Sequence, residues 1–189
     1  MSTTLTDLRH ARSAQDFPFL SLEDGEYVVL SIARSRLGLI FVWFSEIVGF
    51  LVLTLILLSF GSSSDSALAP ATSFIRLIIF CLYGVLILTG VVGTKVYLDN
   101  KMYITNKRAI QISSNALFHK STNIIELSRI EDVSYAQAGL LDYLFHMGTI
   151  RMSTVGDETT YTFRFVDTPT DEIKTITHLV HETKSSSQD

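Results

Sequence analysis

The sequence predicts an α+β protein: a two-helix transmembrane hairpin, then a small antiparallel β-barrel or sandwich capped by a C-terminal α-helix. Three patterns carry that expectation. Leu37–Phe60 and Phe74–Leu98 are long, nearly uninterrupted apolar runs. From Val96 the pattern changes to short alternating segments bounded by turn residues. After Pro169, Ile173, Ile176, Leu179 and Val180 recur at helical spacing.

The two apolar runs dominate the chain. At a rise of about 1.5 Å per residue, a helix over Leu37–Phe60 spans about 36 Å, against a hydrocarbon layer of about 30 Å. The connector Gly61–Ser73 is polar and short, which makes the pair an antiparallel hairpin. Met1–Asp16 is polar, and the first apolar run begins too late and runs too long for a secretion signal. The apolar fraction of 47% and mean hydropathy of +0.32 understate this asymmetry, because the apolar residues are concentrated between positions 37 and 98.

Charge sets the expected orientation. Arg9, Arg12, Arg34 and Arg36 precede the first helix, and Lys95, Lys101, Lys107 and Arg108 lie at or beyond the end of the second. The connector holds Asp65 and no Lys or Arg. Positive flanks mark the cytoplasmic side, so both termini are expected there, at a multi-pass cell membrane. Arg76, near the start of the second run, snorkels to the opposite interface.

Glu46 is the ionisable residue inside the first run, nine residues from Leu37 and about 13.5 Å deep by helical rise. A carboxyl at that depth has to be paired, neutralised or hydrated, and by default it marks function. Arg76 is too far along the other helix to be its direct partner. A bond across a helix–helix contact, a wet cavity formed by several copies, and a lipid or ion pathway all remain open. Gly49, Gly84, Gly90 and Gly93 permit close helix approach, and Gly90-Val-Val-Gly93 has the small-x-x-small spacing of assembling helices. Cys81, the single cysteine, lies in the second run and reads as an apolar filler.

Beyond the hairpin, Val96–Thr105 reads as a strand leading straight out of the membrane helix, Asn106-Lys107 as a turn and Arg108–Ser113 as the returning strand. Strand-like segments follow at Ala116–Lys120, Ser121–Leu127 and Ile130–Ala136. Leu140, Leu141, Leu144 and Phe145 recur at helical spacing, which predicts a short helical turn. Gly148–Thr154, a turn at Val155–Glu158, and Thr159–Val166 complete six or seven strands. Thr168 and Pro169 then suit the start of the last helix, and Ser185–Asp189 is a tail. The expected division is 1–36 as an N-terminal segment, 37–98 as the hairpin, 99–184 as the folded domain and 185–189 as the tail.

The segments Tyr103-Ile104-Thr105-Asn106-Lys107-Arg108, Ile125–Val133, Gly139–Leu144 and Gly148-Thr149-Ile150-Arg151 resemble, in that order, the bacterial pleckstrin-homology family of the YdbS type. Leu22-Glu23-Asp24-Gly25-Glu26 resembles the element that precedes the membrane helices in that family. Phe145-His146-Met147-Gly148 departs from the family pattern by one glycine before its strand. The resemblance implies a pleckstrin-homology-like domain with a non-enzymatic scaffold or accessory role.

Chemistry-bearing constellations are missing from the sequence. It has no phosphate loop, no nucleophile–histidine–acid set and no cysteine metal motif. His178-x-x-His181, with Glu182, offers too few ligands for a metal. Neither cofactor nor enzyme activity is therefore expected. The net charge is −4 overall, and residues 95–189 hold ten Lys/Arg against twelve Asp/Glu, which excludes a nucleic-acid footprint. The leading expectation is a homo-oligomeric scaffold that assembles through Glu46, with membrane lipids and a membrane protein as partners. One alternative is an oligomeric pore or transport accessory with Glu46 in the membrane interior. The other is an anionic-lipid-binding module whose headgroup contacts are Lys107, Arg108 and Arg129.

Overall fold

A computed structural model describes residues 2–61, 69–154, 157–167 and 170–186. The connector residues 62–68, the turn residues 155–156, the expected helix start at Thr168-Pro169 and the last three tail residues lie outside these. The chain divides into two compact units, one of Met1–Ser35 with Leu98–Asp189 and one of Arg36–Tyr97.

The first unit opens with helix α1 (Ser2–Asp16) and strand β1 (Val28–Ala33). After Leu98 come β2 (Lys101–Thr105), β3 (Arg108–Ala116), β4 (His119–Glu126), β5 (Ile130–Ala136), helix α4 (Leu140–Leu144, numbered after the two helices of the second unit), β6 (Met147–Thr154), β7 (Asp157–Asp167) and helix α5 (Thr170–Ser186). The strands form two antiparallel sheets, β1-β2-β3-β4 and β5-β6-β7. They do not close into the barrel that was one of the two expected forms. A 3₁₀ turn at Leu127–Arg129 separates β4 from β5 and ends the ladder. Its Leu127 and the adjacent Ile130 are fully buried between the sheets.

The main core joins Ile32, Met102, Ile104, Ile125 and Leu127 with Ile150, Met152, Phe163 and Val166, and α5 covers it with Ile176 and Val180. The last helix therefore seals the sheets as its apolar spacing predicted. On the opposite face of the first sheet, Tyr103, Ile110 and Ile112 pack against Leu20, Phe17, Leu22 and Val28. Phe17 and Phe19 meet the Tyr103 ring edge-on, at centroid distances of 5.3 and 5.7 Å. Strand β2 is thus buried on both faces, which explains why Met102-Tyr103-Ile104 is a continuous apolar run. Residues 1–36, set apart from the domain by sequence pattern, supply a strand and a covering layer to it.

Several local readings are refined. The second long helix runs to Leu98 and the strand starts at Lys101, so residues 96–98 are helical. At Gly148 an added Cβ would collide with the Tyr135 ring, and the left-handed conformation in this segment falls on His146 (φ 52°).

The second unit consists of α2 (Leu39–Gly61) and α3 (Ala69–Leu98). Both are long and apolar enough to cross a membrane, and their outward side chains, among them Phe44, Leu51, Leu58, Phe80 and Leu88, are exposed. The two helices pack antiparallel through small residues. Gly49 faces Leu86, Gly93 faces Val42 and Gly90 faces Glu46, each close enough that an added Cβ would lie 3.1–3.3 Å from its neighbour. Gly90-Val-Val-Gly93 therefore closes this hairpin on itself.

Candidate functional site

Glu46 lies on the α3-facing side of α2. Its Cγ rests in the notch left by Gly90, and Thr89 Oγ1 donates to Oε1 at 3.1 Å. The same hydroxyl, with one proton, stands 2.9 Å from the Leu86 carbonyl. Oε2 is buried and has no hydrogen-bond partner among the described residues. Trp43, Ile47, Phe50, Leu86, Ile87 and Gly90 complete a cleft of about 180 Å³ around it. Arg76 lies fourteen positions from Gly90 on α3, about 21 Å along the axis, and cannot reach the carboxyl. The Glu46 carboxyl thus faces an apolar cleft with one buried oxygen unpartnered, a costly arrangement for a polar atom.

Lys107, Arg108 and Arg129 gather at one end of the first sheet. Lys107 lies in the β2–β3 turn and Arg108 opens β3, and Glu126, opposite Arg108 in the register, pairs with Arg129 at 3.4 Å. Each cation has an acidic neighbour. Arg108 clamps Glu26 through Nε and Nη2, both at 2.8 Å, and also faces Glu23 at 3.4 Å. Lys107 reaches Glu23 at 3.5 Å and the Asp24 carbonyl at 3.2 Å. The end of the sheet is an internally balanced cluster.

Its centre is Glu26, which is fully buried. Besides Arg108, it accepts from Thr105 Oγ1 at 2.7 Å and the Glu23 N–H at 2.8 Å. Burial alone pushes its carboxyl up, but the bonds from Arg108, Glu23 and Thr105 together outweigh that and hold it below the ordinary range. Asn106 completes the join: its side chain accepts from the Tyr27 N–H (3.0 Å) and donates to the Gly25 carbonyl (3.3 Å). Gly25 adopts φ 72°, a conformation that favours glycine. The two motifs at residues 22–26 and 103–108 are therefore the two halves of one knot. Sequence reasoning singled out Arg108 but missed Glu26 and Thr105; the available signal was an acid two residues before the apolar run Val28–Ala33.

Other candidates stay apart. His178 pairs with Glu182 (3.7 Å), and no group of three or more His, Cys, Asp or Glu gathers among the described residues. Asp142 accepts from the Ala138 N–H at 3.1 Å.

Residues 17–180 match the family described as Bacterial PH domain. Among solved structures, the chain is similar to a DUF1696 family protein with a pleckstrin-homology domain from Shewanella loihica PV-4. The two share 17% identity over 45% of this chain and 70% of that one, with a TM-score of 0.34. No curated protein matches. The family match takes in β1, the Glu26–Arg108 knot, both long helices and all seven strands, and the chain belongs to the bacterial PH domain family.

Proposed function

We propose that this protein is a non-enzymatic interaction module anchored in the cell membrane by α2 and α3, with both termini cytoplasmic, and that it self-assembles as a scaffold. Membership of the family supports the interaction module. Strand pairing supports the topology independently of charge: Ala33, before the helices, is the register partner of Lys101, after them. Paired strands are about 5 Å apart, so a hairpin that enters the bilayer has to return to the side it left.

The observation that carries self-assembly is the unpartnered Glu46 Oε2 in its apolar cleft. A second copy closes the cleft and supplies the missing donor once the carboxyl turns Oε2 outward into it. Trp43, exposed three residues before Glu46 in the same cleft, carries an indole N–H suited to that role in a twofold pair. The test is the mass of the full-length protein in lipid nanodiscs by light scattering. An oligomer is expected, retained in Glu46→Gln and lost in Glu46→Leu. A monomeric native protein overturns the proposal.

The transport reading relies on the same carboxylate. Apart from the Trp43 indole N–H, the rest of its cleft is apolar, which favours a packed contact over a wetted path. Ion flux in proteoliposomes that disappears in Glu46→Gln, with assembly unchanged, would reverse that preference.

A further inference from the structure

Strands β3 and β4 form a hairpin whose last register pair is Ala116 and His119, leaving Leu117-Phe118 at the tip. Phe118 is 99% exposed and Leu117 is also open. The position of this tip within its own unit is informative. Lys101 lies opposite Ala33 on one side and Ile112 on the other. Both chain links to the helices, residues 34–36 and 98–100, therefore leave the sheet at this level. Strand β3 continues past it from Ile112 to Ala116, about 13 Å at strand rise, before turning. Buried Asn100 fixes the stem: its side-chain amide donates to the Ser114 carbonyl (3.1 Å) and its oxygen accepts from the Ser114 N–H (3.2 Å). The hairpin is thereby tied to a residue two positions beyond the end of α3.

The two ends of this sheet carry different charge arrangements. At the Lys107 end every cation faces a glutamate. At the tip end Lys101, His119 and Lys120 are exposed and form no ion pair among the described residues, with Asp99 the nearby acid in sequence. An open phenyl flanked by unpaired bases, at the end of the sheet that leads to apolar helices, has the chemistry of a membrane-interface anchor.

We infer that the Leu117–Phe118 tip enters the headgroup region of the same bilayer that holds α2 and α3, with Lys101 and Lys120 against lipid phosphates. This rests on the membrane reading of the hairpin above. The tip makes a second contact with lipid, which restrains the domain at the surface.

The single native tryptophan, Trp43, makes a direct test possible. The full chain carrying Trp43→Phe and Phe118→Trp is reconstituted in phosphatidylcholine–phosphatidylglycerol vesicles doped with lipids bearing a doxyl quencher, placed either shallow or deep. The native protein, with Trp43 as reporter, is measured in parallel. Because Phe118 is fully exposed, its replacement leaves the fold intact. A blue-shifted tip emission quenched by the shallow doxyl lipid is expected. A water-like emission quenched by iodide and not by lipid, with Trp43 still quenched in the native protein, overturns the tip contact and leaves the membrane hairpin standing. Shielding from both iodide and doxyl lipids means that protein covers the tip and also overturns it. If no doxyl lipid quenches Trp43, the membrane reading and the tip contact fall together.

Discussion

Arg108 and Glu26 are 82 residues apart in sequence yet form a two-pronged bond in which the carboxylate is entirely enclosed. Removing one partner of such a pair leaves the other charge buried and uncompensated, which costs about 3–5 kcal/mol. Arg108→Ala is therefore expected to lower stability by about that amount. Lys107→Ala, next to it but largely exposed, is expected to cost at most about 1 kcal/mol. Denaturant unfolding of the two variants checks the contrast, and equal effects would refute the role given to Arg108. The carboxylate also makes the fold acid-sensitive. Its folded-state pKa is below the unfolded one, so the stabilisation is complete above the unfolded value of about 4.3 and disappears as pH falls through the folded value. Stability of the native protein should drop over that acidic window. In Glu26→Gln, less stable at neutral pH, the drop should be shallower; parallel profiles would remove Glu26 as the cause.

At the scale of elements, α2 and α3 approach through Gly49, Gly90 and Gly93, and the Gly90 notch accommodates Glu46. Gly90→Val forces bulk against the Glu46 stem, and overpacking of this kind costs about 1–3 kcal/mol. The expected result is a looser hairpin with faster proteolysis in detergent, whereas Gly84→Val, which meets open space, should leave proteolysis unchanged. The sequence made the helices, the β5 span, the short turn at 140–144 and the α5 stripe legible, because each is set by a local period. It did not reveal β1 or the covering role of residues 17–22, because their partners lie across the intervening helices. Glu46 stood out as a lone carboxyl in an apolar run, but its cleft depends on which α3 residues face it. Arg108 stood out as a cation, but its bond to Glu26 could not be read from its own surroundings. A cation's partner across 82 residues has no local signature.

At the scale of the whole molecule, α2 and α3 sit inside what would otherwise be the β1–β2 turn of an antiparallel meander. Ala33 and Lys101 are register partners, and Arg36–Tyr97 separates them in the chain. The residues of both core clusters, and the Glu26–Arg108 knot, lie in Met1–Ser35 and Leu98–Asp189. Excising Arg36–Tyr97 and joining Ser35 to Leu98 through a short glycine–asparagine turn therefore removes no side chain of either cluster, and the gap it has to bridge is that between neighbouring strands, about 5 Å. The excised protein is expected to be soluble and to unfold cooperatively. Arg108→Ala should cost it about the same 3–5 kcal/mol as in the full chain, since the knot does not involve the helices. A collapsed product without a cooperative transition would mean that the helices contribute to the fold of the domain as well as to its location. A fragment beginning at residue 99 makes the complementary test. It lacks β1 and the layer over Tyr103, and it also leaves Arg108 without Glu26, so it should fail to fold where the excised chain succeeds.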